Sequence, residues 1–145
     1  IQFSDVNMQT REAEELADNK IPDALSDFVI PPGVEVFEIT GPLFFGAAYK
    51  FKDAIKFIEK KPRVMIIRMR QVPIIDATGI KTIEEVYKDL RHRGTRLILS
   101  EVHSKQVMEE LQKARLLFAI GKANVTTSFT AALERCQVLL RENEG

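Results

Sequence analysis

The residues best placed to do chemistry stand together in Ile74-Ile75-Asp76-Ala77-Thr78-Gly79. This carboxylate, hydroxyl and glycine follow the apolar run Val64 to Ile67 and lead into the amphipathic segment Ile80 to Leu90. The pattern predicts a strand handing over to a helix. The first turn of a helix carries unpaired backbone N–H groups that can seat an anion, a side-chain cap or a partner. Asp76 suits an N-cap, structural work without any reaction; contact with a ligand or partner is the second reading, and catalysis the remotest. Thr78 offers its hydroxyl as a cap, as a phosphoacceptor or as a surface contact. Gly79 is expected to relieve crowding or to supply a conformation costly with a Cβ.

Other reactive groups are sparse. His92 and His103 are the only histidines, and both sit in polar, solvated settings. Cys136, the single cysteine, lies in the helical run Ala132 to Cys136 and reads as a small packed hydrophobe. One cysteine forbids an internal disulfide and a Cys-based zinc site, and suits a reducing compartment. No Gly-x-Ser-x-Gly, His-Glu-x-x-His, paired-histidine or phosphate-loop motif occurs, so no catalytic residue, metal or cofactor is expected. Gly41 and Gly46 do not follow the spacing of a dinucleotide loop, and a nucleotide stays compatible with a helix N-terminus but unsupported by any motif.

Two features are candidate docking surfaces. Lys50, Lys52 and Lys56, with Lys60, Lys61 and Arg63, form a basic region that contrasts with the acidic stretch Glu12, Glu14, Glu15 and Asp18. A solvated helix face is the plain reading, and an acidic partner or nearby headgroups the alternative. Phe44 and Phe45 fall in a loop, where paired aromatics plug a core or, if exposed, make a strong protein contact. Over the whole chain Lys plus Arg and Asp plus Glu are equal at 21 each, so no net charge recruits nucleic acid at long range.

The elements that must position these residues form one domain, since 145 residues suffice to bury roughly two thirds of an extended chain's surface. Val34 to Ile39, Val64 to Met69 and Thr95 to Leu99 read as strands, with Val64 to Ile67 at the sheet centre and apolar on both faces. Ala47 to Glu59, Gly79 to His92, Ser104 to about Lys113 and Phe129 to about Arg141 read as helices, and Ile120-Gly121 as a short final strand. The order strand, helix, strand, helix, strand, helix predicts an α/β fold, with an extra strand pairing at the front. Residues 1–20 read as a polar linker or loosely docked arm. No run approaches a membrane span, and the start Ile1-Gln2-Phe3 lacks both a signal-peptide pattern and a Met. The chain is therefore expected to be a piece of a longer protein.

The wording and order of several stretches resemble a STAS domain, specifically the cytoplasmic domain of the sulphate permease (SulP) family of anion transporters. The stretches are Val36 to Ala48, Phe51 to Ala54, Val64 to Gly79, Arg93 to Thr95 and Ser128 to Leu133. The resemblance runs from about residue 25 to 140. It implies a mixed, mostly parallel β-sheet of four or five strands packed against helices, over residues 21–142, with residues 1–20 as the connector from the membrane domain. It implies a non-catalytic regulatory and docking role on the cytoplasmic side of the bacterial inner membrane. The partners so implied are the transmembrane domain of the same permease and a cytoplasmic protein, with acyl carrier protein and a nucleotide as candidates among relatives. Bacterial anti-sigma factor antagonists in the same family carry Asp-Ser-Ser-Gly here, phosphorylated on the second serine. By that likeness Asp76, Ala77, Thr78 and Gly79 form a regulatory loop, with Thr78 at the phosphoacceptor position and Ala77 in place of the first serine. A free-standing anti-sigma antagonist is thus one alternative, and a small nucleotide-binding domain another.

Overall fold

A computed structural model describes residues 5–8, 28–56, 58 and 61–144. Its framework is a four-stranded sheet in the order β1-β2-β3-β4, formed by Asp5–Met8 (β1), Val34–Thr40 (β2), Val64–Gln71 (β3) and Arg96–Ser100 (β4). β2, β3 and β4 run parallel, in a register that lines up Val36, Ile66 and Ile98. β1 joins the other edge antiparallel, with Val6 opposite Ile39. The mixed, mostly parallel sheet expected from sequence is therefore present. Four residues of the stretch read as a linker form its edge strand, while Glu12, Glu14, Glu15 and Asp18 lie outside the described residues.

Each parallel step needs a crossover, and the two amphipathic segments provide it. Helix α1 (Phe45–Lys56) connects β2 to β3, and α2 (Ala77–His92) connects β3 to β4. Ala47, Ala48, Phe51 and Ile55 of α1 and Ile83, Val86 and Leu90 of α2 bury against Phe37, Ile39, Met65, Ile67, Leu97 and Leu99. Successive strand residues point to opposite faces, so Val34, Val36, Val64, Ile66 and Ile98 line the other side. There the last helix, α5 (Phe129–Glu144), covers them with Phe129, Ala132, Cys136, Leu139 and Leu140. Val64 through Met69 are buried without a break, as a strand covered on both faces must be.

Helix ends follow local chemistry. Ser104 caps α3 (Lys105–Lys113) by accepting the Val107 N–H at 3.1 Å. Gly94 closes α2 at φ +86°, a left-handed conformation cheap only without a Cβ.

One sequence expectation fails. Ile120-Gly121 is not a strand, because Leu116–Ile120 forms a short helix, α4, followed by a 3-10 turn at Lys122–Asn124. Leu116 and Ile120, four apart, are buried while Phe118 between them is exposed, which is helical and not alternating periodicity. Strand-like pairing there is confined to one parallel bridge between Leu99 and Val125.

Candidate functional site

At the carboxyl ends of β2 and β3 the two outgoing loops are fastened together by their backbones. Gly41 donates its N–H to Gln71 O at 2.8 Å and Leu43 donates to Ile74 O at 3.0 Å. Leu43 thus forms a parallel bridge with Ile75, extending the sheet by one rung beyond the strands. The alternation of that rung decides the side chains: Ile75 is buried and Ile74 is exposed. Apolar character alone predicts that both isoleucines anchor the segment inside, and only Ile75 does.

Asp76 has extended backbone angles and accepts the Gly79 N–H on Oδ1 at 2.8 Å, the geometry of an N-cap. Gly79 is fixed by space and not by φ. A Cβ there would lie 2.2 Å from the Leu43 carbonyl oxygen and 2.6 Å from Ile75 Cγ1. Asp76 and Thr78 are half-buried and Ala77 is exposed, so the loop meets solvent at the first turn of α2.

A second clamp holds the loop from the other side. The Gln106 carboxamide accepts the Ile75 N–H and donates to Ile75 O, both at 2.9 Å, standing in for a neighbouring strand. Ser104 Oγ donates to Pro73 O at 2.8 Å. Nothing in the sequence around Gln106 singles it out, because its two partners are backbone groups 31 residues away.

Beside this loop Phe45 is 73% exposed, and Phe44, Tyr49 and Ile74 are also exposed. Phe44 and Phe45 therefore do not plug the core; Leu43, the residue before them, does. Of the three lysines singled out, Lys50 and Lys56 are exposed, whereas Lys52 binds Glu85 of α2 at 2.8 Å. That hydrogen bond and the lysine charge, opposed by slight desolvation, hold the Glu85 carboxyl below its ordinary value. A groove of about 330 Å³ between the helices is lined by Lys52, Lys56 and Arg93, but also by Glu85 and Asp89. Its rim is of mixed sign, not uniformly basic. Lys60 lies outside the described residues.

The histidines stay apart: His92 is exposed, and His103 places Nε2 2.9 Å from Thr127 O. Cys136 is buried, which pushes its thiol up to about 11. Among the described residues no three metal-ligating side chains converge.

Sequence reading missed a buried charge cluster on the α5 face. Arg68, 0% exposed, makes two 2.8 Å bonds to Glu101, from Nε to Oε2 and from Nη2 to Oε1, while its guanidinium lies 4.4 Å from the Phe129 ring centroid. Ser100 Oγ also donates to Glu101, at 2.8 Å. Burial raises the Glu101 carboxyl, and the Arg68 and Ser100 bonds with the charges of Arg68 and Arg70 outweigh it, leaving a net lowered value. Next to this pair, buried Glu38 accepts from Arg70 at 2.9 Å and from Gln71 at 2.8 Å. An arginine after four apolar residues was the available signal, since in a strand its side chain falls on the same face as Ile66.

Comparisons with known proteins bear on this geometry. The family model of the STAS domain matches residues 26–132. A crystal structure of a sulfate transporter family protein from Wolinella succinogenes is 40% identical with a TM-score of 0.78, covering 84% of this chain and 99% of that one. The SulP transporter STAS domain from Vibrio cholerae is 31% identical with a TM-score of 0.67, covering 79% and 88%. Sulfate transporter 3.1 of Arabidopsis thaliana is 28% identical over 122 residues, which are 75% of this chain and 18% of that protein. The chain spans less than a fifth of the length of the curated relatives it matches. An anti-sigma factor antagonist from Mycobacterium paratuberculosis, 16% identical with a TM-score of 0.59 over 74% of this chain, shares the fold.

Proposed function

The chain belongs to the STAS domain family, and on that premise we propose that it is the non-catalytic regulatory and docking domain of an anion permease of the sulfate transporter type. It acts on the cytoplasmic side of the bacterial inner membrane, joined to the permease's transmembrane domain. The 40% identity to a sulfate transporter family protein, over nearly all of that chain, carries the assignment to the permease branch.

The loop end is the contact surface in this reading. It combines exposed Phe44, Phe45 and Ile74 with the capped turn Asp76 to Gly79. Solvent-exposed aromatics beside a rigidly held loop suit protein contact, because aromatic anchors dominate such interfaces when they become buried. Lys50, in the first half of α1, suits an acidic cytoplasmic protein such as an acyl carrier protein, while Lys56 lies at the far end of that helix, in the groove with Asp89 and Arg93.

Thr78 adds a switch. Its hydroxyl sits in the first turn of a helix, half-exposed and two residues from the Asp76 carboxylate. A phosphate there adds roughly 1.5 to 2 negative charges, which the helix dipole partly favours and Asp76 repels. This position also keeps the anti-sigma antagonist reading in view as the alternative.

Anion uptake by the parent transporter tests the assignment. Removal of residues 21–142, and separately Phe45→Glu, should lower uptake while the transporter still reaches the membrane. Uptake unchanged by both alterations overturns the permease reading.

A further inference from the structure

A hollow of about 430 Å³ lies where α3, α4 and the 3-10 turn meet, lined by Gln112, Arg115, Leu117, Phe118 and Lys122. Phe118 is 88% exposed, more than any other large apolar side chain described. The wall that carries it is firmly held. Leu116 and Ile120 root α4 in the core, Tyr87 Oη donates to Ala119 O at 2.7 Å, and Asn124 Nδ2 donates to Ile120 O at 2.8 Å.

The charge of the lining is one-sided, with two cations and no carboxylate. Between Glu110 and Glu134 the sequence contains no acidic residue at all. Lys113 is answered by Glu110 at 3.3 Å, whereas among the described residues no ion pair engages Arg115 or Lys122.

Backbone conformation singles out Arg115 as well. Gly33, Gly41, Gly94 and Gly121 supply most of the left-handed positions described, and two other residues adopt one, Glu101 at φ +62° and Arg115 at φ +63°. A Cβ makes that conformation costly. Glu101 is held in it by the bonds of its carboxylate to Arg68 and Ser100. Arg115 follows the C-cap Ala114 of α3, at the place where glycine most cheaply ends a helix, and its side chain has no partner among the described residues. Folding alone would favour glycine there, so the arginine points to something outside the fold.

We propose that this hollow docks an acidic segment of a partner protein, seating an apolar side chain against Phe118 and Leu117 and setting carboxylates against Arg115 and Lys122. Charge complementarity fixes the sign of the occupant, and the remaining lining fixes its kind. Two cations are too few to hold nucleic acid against salt, and an inorganic anion would leave the apolar wall unused. With Phe118 so exposed, the hollow cannot enclose most of a small organic ligand. A chain segment can lie across it, and the Gln112 carboxamide can both donate to and accept from that segment's backbone. The proposal goes beyond the permease reading and does not draw on it.

Two capped synthetic peptides test it, Asp-Glu-Leu-Phe-Glu-Asp and its carboxamide analogue Asn-Gln-Leu-Phe-Gln-Asn, titrated into the 145-residue chain while amide shifts are followed. The acidic peptide should shift Gln112, Arg115 to Ile120 and Lys122, with a Kd on the order of 0.1 to 1 mM that weakens as salt is raised. Phe118→Ala should weaken it by about 5-fold or more, and Arg115→Glu with Lys122→Glu by about 10-fold. All three side chains are exposed, so these variants keep the fold. Arg115→Gly separates binding from stability: it should lose about 3-fold in affinity while the melting temperature stays level or rises by roughly 2 °C. Equal binding of the carboxamide peptide, shifts confined to other surfaces, or affinity indifferent to these substitutions overturns the proposal. So does an acidic peptide that leaves every shift in place while Phe118→Ala abolishes self-association in sedimentation, which assigns the hollow to a second copy of the chain.

Discussion

The two faces of the sheet solve the same burial problem differently. Under α1 and α2 the face is apolar from end to end, through Phe37, Ile39, Met65, Ile67, Met69, Leu97 and Leu99. Under α5 it is apolar only at the amino ends of the strands, with Val34, Val36, Val64, Ile66 and Ile98, and charged at the carboxyl ends, with Glu38, Arg68, Ser100 and Glu101. The first face tolerates any well-packed hydrophobes. The second requires each charge to find its partner, because a buried carboxylate or guanidinium left alone is far costlier than a mismatched methyl. Specific geometry is therefore concentrated at the end of the molecule from which the candidate loop departs.

The sharpest way to break that contrast is Arg68→Met. It strands Glu101 at 4% exposure, and should cost about 3 to 5 kcal/mol in denaturant unfolding. Adding Glu101→Gln should recover part of the loss, since it removes the orphaned charge; an unimproved double variant would mean that the Phe129 stacking matters more than the pair. Acid titration reads the same pair. A carboxyl lowered from 4.5 on folding contributes its stability fully above pH 4.5, and that contribution disappears as pH falls through the lower folded value. The wild-type chain should thus lose stability below pH 4.5 more steeply than a Glu101→Gln variant.

On the same face, lower down, Ile66→Ala removes a fully buried side chain from the central strand and should cost about 2 to 4 kcal/mol. A loss under about 0.5 kcal/mol would mean the site collapses freely, contrary to close packing from both sides.

Much of this was legible in the amino-acid sequence, and the reason lies in periodicity. Val64 to Ile67 read as a doubly covered strand because four consecutive apolar residues cannot face water, and the α1, α2 and α5 stripes recur at three and four. Asp76 and Ser104 read as caps from residue type and position. What escaped were pairings across long separations. Arg68 meets Glu101, and Gln106 meets Ile75, each over more than 30 residues, and no local pattern announces a polar side chain whose partner is brought in by the fold. Ile120-Gly121 misled for another reason: the helix that ends at Ile120 has five residues, too few for period to separate a helix from a strand.

Gly79→Ala tests whether the loop end is as tightly set as the sheet below it. The added methyl meets the Leu43 carbonyl oxygen at 2.2 Å, a backbone atom that cannot swing aside. About 2 kcal/mol of destabilisation is expected, with amide shifts changing at Leu43, Ile75 and Asp76. Shifts confined to Gly79 and its neighbours would show that the two loops can part without strain.

The smallest effect on folding is the most informative about function. Asp76→Ala removes the acceptor for the Gly79 N–H and should cost about 1 kcal/mol, the ordinary value of an N-cap. Asp76→Asn keeps an acceptor oxygen in the same place and is an equally good cap, so only the carboxylate's interaction with the helix dipole is lost, a few tenths of a kcal/mol at a half-exposed site. Cap and charge are thereby separated. If Asp76→Asn leaves the melting transition nearly in place yet lowers uptake by the parent transporter or weakens a partner, the negative charge belongs to the contact surface. If Asn and Ala lower uptake only in proportion to their different stability losses, the aspartate is a cap alone. A chain that unfolds outright on the asparagine change would contradict the cap geometry itself, because amide and carboxylate accept that hydrogen bond alike.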